Sequence, residues 1–286
     1  MDISVIIVSW NVKEKLKKNL KALFSGQEGI SSEVFVIDNN SRDNSAEMVE
    51  KEFPQVKLIA NKDNLGFAKA NNQAINKSRG KYILLLNPDM RVMPNTLYSM
   101  VKWMDSRPEA GVAGCRLVNE RGETIPHVRR FPALLDQLAI IFKLPHFFPG
   151  VLNHYLFKNF DYSKEAAVDS IRGSFFMIRR ETMDKIGGLD ERFFIWFEEV
   201  DYCRRVKNAG LKVMYTPSAS SIDYVGQSIS QVSRGAAQKY FRGSMLKYFE
   251  KWQPAWQYWI LKLAWPVGQA LTFLGDKLSI KGRART

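Results

Sequence analysis

Sulfur chemistry has almost no foothold in this chain. Cysteine occurs only at Cys115 and Cys203, in apolar or helical context and without CxxC spacing. Two thiols are too few for a disulfide framework and read as reduced structural residues of a reducing compartment. No GxGxxG follows the first apolar run, which disfavours a dinucleotide-dependent oxidoreductase, and no P-loop is present. Internal repeats and low-complexity tracts are lacking too. The opening MDISVIIVSW has no basic n-region or cleavage site, so it is expected to be a first strand and not a signal peptide. Lys262 and Pro266 interrupt the apolar stretch from Ala255 to Leu274. A membrane-spanning helix needs about 20 predominantly apolar residues, so a span there is disfavoured.

What is present is a chain of 286 residues, 45% apolar, enough for one large domain with a small appendage. Its 42 Lys and Arg against 29 Asp and Glu give a net charge of +13, which suggests an anionic partner. Residues 231–286 hold ten of those cations and two acids, so +8 of the charge sits in the last fifth, with Trp252, Trp256, Trp259 and Trp265. A basic, Trp-rich end has the composition of an interfacial segment.

Short β-branched runs alternate with helical spacing. Strands are expected at Ile3 to Val8, Glu33 to Ile37, Val56 to Ala60, Tyr82 to Leu86 and Val112 to Cys115. Helices are expected at Lys13 to Phe24, Asp43 to Glu52, Phe67 to Lys77 and Asn95 to Asp105. After an irregular stretch over 121–165 with one short helix come a strand from Ser170 to Ile178, helices at Glu181 to Ile186 and Glu198 to Ala209, and a last strand at Lys212 to Tyr215. The pattern predicts an α/β fold with a mostly parallel central sheet flanked by helices and a C-terminal amphipathic helical tail.

The most informative segment is LLLNPDM, residues 84–90, where an apolar strand stops at Asn87-Pro88-Asp89. A carboxylate there stands at the strand-end mouth of an α/β sheet, where ligands bind, although Asn-Pro-Asp is also ordinary turn chemistry. Ser9 and the Asp38-Asn39 pair end two further strands at the same edge. FEEVD places Glu198, Glu199 and Asp201 in the first turn of a helix, where the dipole favours acids by roughly 0.3–1 kcal/mol each. Asp201 also stands four residues before Arg205, an ordinary ion-pair spacing.

The blocks VSWN (8–11), VIDNNSRDNS (36–45), NLGFAKANN (64–72), LLLNPD (84–89), GSFFMIRR (173–180), GGLDERFFIWFEEVDYCRR (187–205) and YVGQSIS (224–230) occur in that order. Together they resemble the family 2 inverting glycosyltransferases, rhamnosyltransferase-like branch, over about residues 1–250. The resemblance implies a GT-A fold: a catalytic domain over 1–230, with a nucleotide-sugar half at 1–115 and an acceptor half at 116–230, followed by the tail at 231–286. It implies Val8, Ser9, Asp38, Asn39, Asn64, Gly66, Phe67, Asn71 and Asn87 as contacts of a nucleoside-diphosphate sugar donor. Asp190 and Trp196 would face a saccharide acceptor, with Trp196 offering a plate for a sugar ring or simply packing in the core.

Asp89 matches the last acid of the DxD-type motif that binds a divalent cation, Mn2+ or Mg2+, and Asp223 occupies the place where relatives carry a metal-binding His. Glu199 falls on the general base, with Glu198 or Asp201 able to share the task. Such a base is worth about 10² to 10⁴ in rate. A lipid-linked saccharide acceptor and a cytoplasmic, peripheral site on an anionic membrane are expected from family and tail together. Trp252, Trp256, Trp259 and Leu263, spaced 4, 3 and 4, would form one helical face, either membrane-binding or packed on the catalytic domain. Two rivals are weighed. A catalytically silent relative is suggested by the changes at Asp223 and Glu199, whereas a nucleic-acid binder explains the charge but none of the strand-end motifs.

Overall fold

The computed structural model describes residues 1–26, 29–224 and 231–283, with the side chains of Arg234 and of 271–283 outside the description. The first half runs β1 (Ile3–Ser9), α1 (Lys13–Ser25), β2 (Ser32–Asp38), α2 (Ser45–Glu52), β3 (Lys57–Ala60), α3 (Phe67–Ile75), β4 (Tyr82–Leu86), β5 (Met90–Val92), α4 (Thr96–Asp105) and β6 (Ala110–Val118). The second half runs α5 (Leu134–Ile141), β7 (Ala166–Val168), β8 (Phe175–Arg179), α6 (Arg180–Ile186), α7 (Glu198–Asn208), β9 (Lys212–Asp223), α8 (Arg234–Trp252) and α9 (Ala255–Arg283). The described strands form one sheet in the order β3-β2-β1-β4-β8-β6-β9-β5, with β7 added on β9.

The early strands are apolar at nearly every position because both sheet faces are covered, and successive side chains point to opposite faces. Ile3, Val5 and Ile7 join Val34, Val36, Leu84 and Leu86 beneath α1, α2 and α4. Ile6 and Val8 join Phe35, Ile37, Ile83 and Leu85 on the other face, under α3, α6 and α7. Strands β3, β2, β1 and β4 are parallel, and β6 lies parallel to β9. The pairings β4·β8, β6·β8, β5·β9 and β7·β9 are antiparallel, so the parallel character belongs mainly to the first half.

Three expectations are corrected. The last strand runs on to Asp223 and recruits β5, three residues directly after Asp89, too short for periodicity to reveal. The strand expected over Ser170 to Ile178 begins only at Phe175. The tail is two helices: Pro254 has no N–H to donate, and Gln253 before it is extended (φ −121, ψ 158), so α8 ends at Trp252. Trp252 therefore does not share a helical face with Trp256, Trp259 and Leu263. Helix α9 continues through Pro266. No described helix is long and apolar enough to cross a membrane.

A third core unites α5, α7, α8 and α9 through Ile141, Val200, Met245, Tyr248, Phe249, Leu261 and Trp265. Buried Asp201 reinforces it, accepting from Arg205 Nε at 3.0 Å and Trp252 Nε1 at 2.7 Å and pairing with Lys251 Nζ at 2.7 Å. The opposite face of α9 carries Trp256, Trp259 and Leu263, 57%, 53% and 73% exposed.

Candidate active site

The donor-side candidates converge because parallel strands end together. Ser9 stands opposite Asp38 in the β1·β2 register, which puts Val8, Ser9, Asp38 and Asn39 at one edge. Asp38 is 4% exposed; its Oδ2 accepts from the Ser41 N–H at 2.9 Å. Among the described residues, Asp38 Oδ1, the Ser9 hydroxyl and Asn71 Oδ1 are buried without a hydrogen-bond partner. Buried polar atoms in proteins are nearly always bonded, so the adjacent Ser9 and Asp38 mark a place for a polar ligand.

Asn39 has a different job. Its Nδ2 donates to Asn64 Oδ1 at 3.3 Å and to the Gly66 carbonyl at 3.2 Å, fastening the segment before α3 to β2. Gly66 has φ 79, and the Phe67 N–H donates to the Phe194 carbonyl at 2.6 Å. Asn71 is fully buried and donates back to the Phe67 carbonyl at 2.8 Å. The Asn87 backbone is held by Ser174 and Asn19: its N–H donates to the Ser174 carbonyl at 2.9 Å and its carbonyl accepts from Asn19 Nδ2 at 2.9 Å.

Asp89 and Asp223 arrive at one corner through strand pairing. Met90 faces Asp223 across β5·β9, and the Tyr224 N–H donates to the Asp89 carbonyl at 3.2 Å. Both carboxylates are buried, at 4% and 5% exposure. Oxygen donors suit a hard cation such as Mg2+ or Mn2+, which readily takes its remaining ligands from phosphate and water. No cluster of three His, Cys, Asp or Glu residues fit for a metal occurs among the described residues. The Gly226-Gln227-Ser228 part of the expected HxxGxS-like segment lies outside the described residues.

Two residues beside this corner, Arg172 and His127, are marked by no motif in the sequence. Arg172 Nη1 pairs with Asp223 Oδ2 at 3.0 Å, and the Ser174 hydroxyl donates to the same oxygen at 3.2 Å. Between them Gly173 lies against Glu199: a Cβ on it would sit in ordinary van der Waals contact, 3.5 Å from Glu199 Cβ. His127 is 2% exposed between the rings of Tyr162 and Tyr215, and burial pushes its imidazole down to about 4, so it is neutral. Arg172 directly precedes the recognised GSFFMIRR block, and His127 stands in an irregular stretch. No spacing marks either.

The three acids of FEEVD separate into different roles. Burial raises both Glu198 and Glu199, and the neighbouring charge of Glu199 pushes Glu198 further up, whereas Arg172 works in the opposite direction on Glu199. Glu198 is 5% exposed and Glu199 half-buried, and an Oε2 of each has no hydrogen-bond partner among the described residues. Burial thus pushes Glu198 further from its charged form than Glu199. Asp201, fully buried in bonds to Arg205, Lys251 and Trp252, ties α7 to α8.

The two acceptor candidates have different surroundings. Asp190 accepts a fork from Arg192, with Nη2 at 2.7 Å, and pairs with Lys251 at 2.9 Å. The Arg192 bonds above all hold its carboxyl well below the usual range. Trp196 and Phe197 both have positive φ, 64 and 68, a strain of about 1–3 kcal/mol each that tends to persist at functional sites. That turn puts Trp196 into the wall of an apolar cleft, its ring 6.1 Å from Phe241.

Residues 4–187 match the profile of the family described as "Glycosyl transferase family 2", and residues 154–226 match "N-terminal domain of galactosyltransferase". An N-acetylglucosaminyl-diphospho-decaprenol L-rhamnosyltransferase of Mycobacterium tuberculosis is 27% identical over 237 residues, covering 78% of this chain and 76% of that protein. The rhamnosyltransferase WbbL of Escherichia coli is 28% identical over 233 residues, 77% of this chain and 82% of that protein. Among solved structures, a mannosyltransferase of Pyrobaculum calidifontis in complex with GDP-Man and Mn2+ superposes with a TM-score of 0.60 at 18% identity, covering 99% of this chain and 79% of that one. At that identity it bears on the fold alone, which is GT-A-like.

Proposed function

The chain belongs to glycosyl transferase family 2, and we propose that it moves rhamnose or a similar sugar from a nucleoside diphosphate to a lipid-linked saccharide in bacterial cell-envelope polysaccharide synthesis. The relatives that are rhamnosyltransferases, one of them acting on a diphospho-decaprenol, support the donor and acceptor classes. The observation that carries the reaction is the short run Arg172-Gly173-Ser174, which connects Glu199 on one side with Asp223, and through β5 with Asp89, on the other.

In this reading the nucleoside lies against the Gly66-Phe67 turn and against Ser9 and Asp38, whose buried polar atoms await partners. Asp89 and Asp223 would hold a divalent cation, whose charge would offset that of the departing diphosphate. Glu199 takes the proton from the acceptor hydroxyl as that oxygen bonds to the anomeric carbon. The bond to the diphosphate breaks on the opposite face, and the electron pair leaves with the nucleoside diphosphate, which inverts the anomeric configuration. The exposed Trp256, Trp259 and Leu263 and the basic end of the chain support a peripheral position on an anionic cytoplasmic membrane surface.

The test is hydrolysis of a panel of nucleoside-diphosphate sugars with Mn2+ or Mg2+. Slow turnover of one donor, dependent on metal and lost in Asp89→Ala, supports the reading and names the donor. Failure to bind any nucleoside diphosphate overturns it.

A further inference from the structure

Helices α5, α8 and α9 leave a cleft of about 260 Å3, walled by Ile140, Ile141, Trp196, Phe241, Trp265 and Gly268. Such walls fit hydrocarbon and offer little to the hydroxyls of a sugar. At the same cleft stand Lys143, Gln238 and Gln269. Trp265 is 7% exposed, and its indole Nε1 has no hydrogen-bond partner among the described residues. The Arg242 guanidinium lies over that indole at 5.5 Å, with its own Nε buried and unpaired. Apolar walls with unpaired donors and two cations nearby complement an amphiphile with an anionic, hydrogen-bond-accepting head.

We propose that this cleft seats the isoprenoid chain of the lipid-linked acceptor, with its phosphate toward Lys143 and Arg242. The assignment rests on the lipid-linked reading above. Trp196 stands three residues before Glu199, so a chain in the cleft adjoins the helix that carries the base. The occupant is the acceptor's own chain and not a lipid of the surrounding bilayer. At 100° per residue, Leu261, Trp265 and Gly268 lie on the side of α9 opposite Trp256, Leu263 and Val267, which face outward.

The experiment compares binding of farnesyl phosphate and isopentenyl phosphate to the full chain by calorimetry, in wild type and in Ala237→Trp, which plugs the cleft. Wild type should hold the longer chain at least about tenfold more tightly, and Ala237→Trp should abolish that preference. If Ala237→Trp fails to fold, judged by its thermal melt, Gln238→Trp takes its place. Equal affinities in wild type, or a preference that survives a folded plug, overturn the proposal. So does a plug that weakens binding to phosphatidylglycerol vesicles as strongly as to farnesyl phosphate, since the chain would then be a bilayer lipid. Failure of the glycosyl-transfer reading itself shows separately, as absence of nucleotide binding in wild type.

Discussion

Gly66 and Phe194 meet so closely that a Cβ on Gly66 would lie 2.4 Å from the Phe194 carbonyl oxygen. That oxygen also accepts the Phe67 N–H. The contact joins the donor-side turn to the loop that leads into α7, so the two sides of the site are set against each other by a residue without a side chain. Asn72 makes a second tie, donating to the Leu189 carbonyl at 2.8 Å and accepting the Leu189 N–H at 3.0 Å.

Gly66→Ala should therefore be costly twice, through a positive φ and through a clash with backbone. The expected loss is about 2–4 kcal/mol in urea unfolding, with weaker nucleoside-diphosphate binding in whatever remains folded. A variant within about 0.5 kcal/mol of wild type would show that the turn relaxes freely.

The helix of Glu198 and Glu199 makes a pH prediction. The folded pKa of each lies above its ordinary 4.5, through burial first. Their contribution to stability is fully present below about pH 4.5 and is lost as the pH rises through the folded values. Glu198→Gln removes the larger share of that loss, so its stability relative to wild type should climb between pH 5 and 8 in a urea series. For catalysis the direction is reversed, because the base must be ionised: turnover should fall as the pH drops through the raised pKa of Glu199. Glu199→Gln should lower kcat by about 10² to 10⁴ with donor affinity retained; a smaller effect would assign the proton to another group.

These roles show what the chain's own pattern discloses. Strands β1, β2 and β4 were legible because both their faces are buried, giving nearly continuous apolar runs that lead to Ser9, Asp38 and the Asn87-Pro88-Asp89 turn. Asp89 was legible for the same reason. The pairing that brings Asp223 to it was not: β5 is three residues long, and β9 passes the point where its apolar run gives way to Ser and Thr. Arg172 was hidden because its meaning lies in an ion pair with Asp223 and a charge effect on Glu199, both distant in sequence. Pro254 was a visible stop signal, and the spacing of Trp252 with Trp256 held only if the helix ran through it.

The acidic corner predicts a graded response to metal. Asp89→Ala should weaken Mn2+ binding in the presence of nucleoside diphosphate by at least about tenfold, read by electron paramagnetic resonance of free Mn2+. Asp223→Asn should weaken it as well and also leave Arg172 without its ion-pair partner. Unchanged Mn2+ affinity in Asp89→Ala would take that carboxylate out of the ligand set.

Membrane binding needs a test that spares the fold. Deleting residues 251–286 would remove Lys251 and Trp252, which bond Asp201, along with Leu261 and Trp265 of the third core. Breaking a buried charge pair by removing one partner costs about 3–5 kcal/mol, so lost vesicle binding in that deletion would report unfolding as readily as a missing membrane surface. Trp256→Ala, Trp259→Ala and Leu263→Ala change only side chains that are already more than half exposed. Combined, they should leave the melting temperature within a few degrees of wild type. Sedimentation with anionic vesicles should nevertheless fall at least about tenfold, given the apolar area they bury on insertion. Wild-type binding should also weaken as salt is raised, since a Debye length of about 8 Å at physiological ionic strength screens the basic end from the lipid. Full vesicle binding by the folded triple variant would move the membrane contact away from α9.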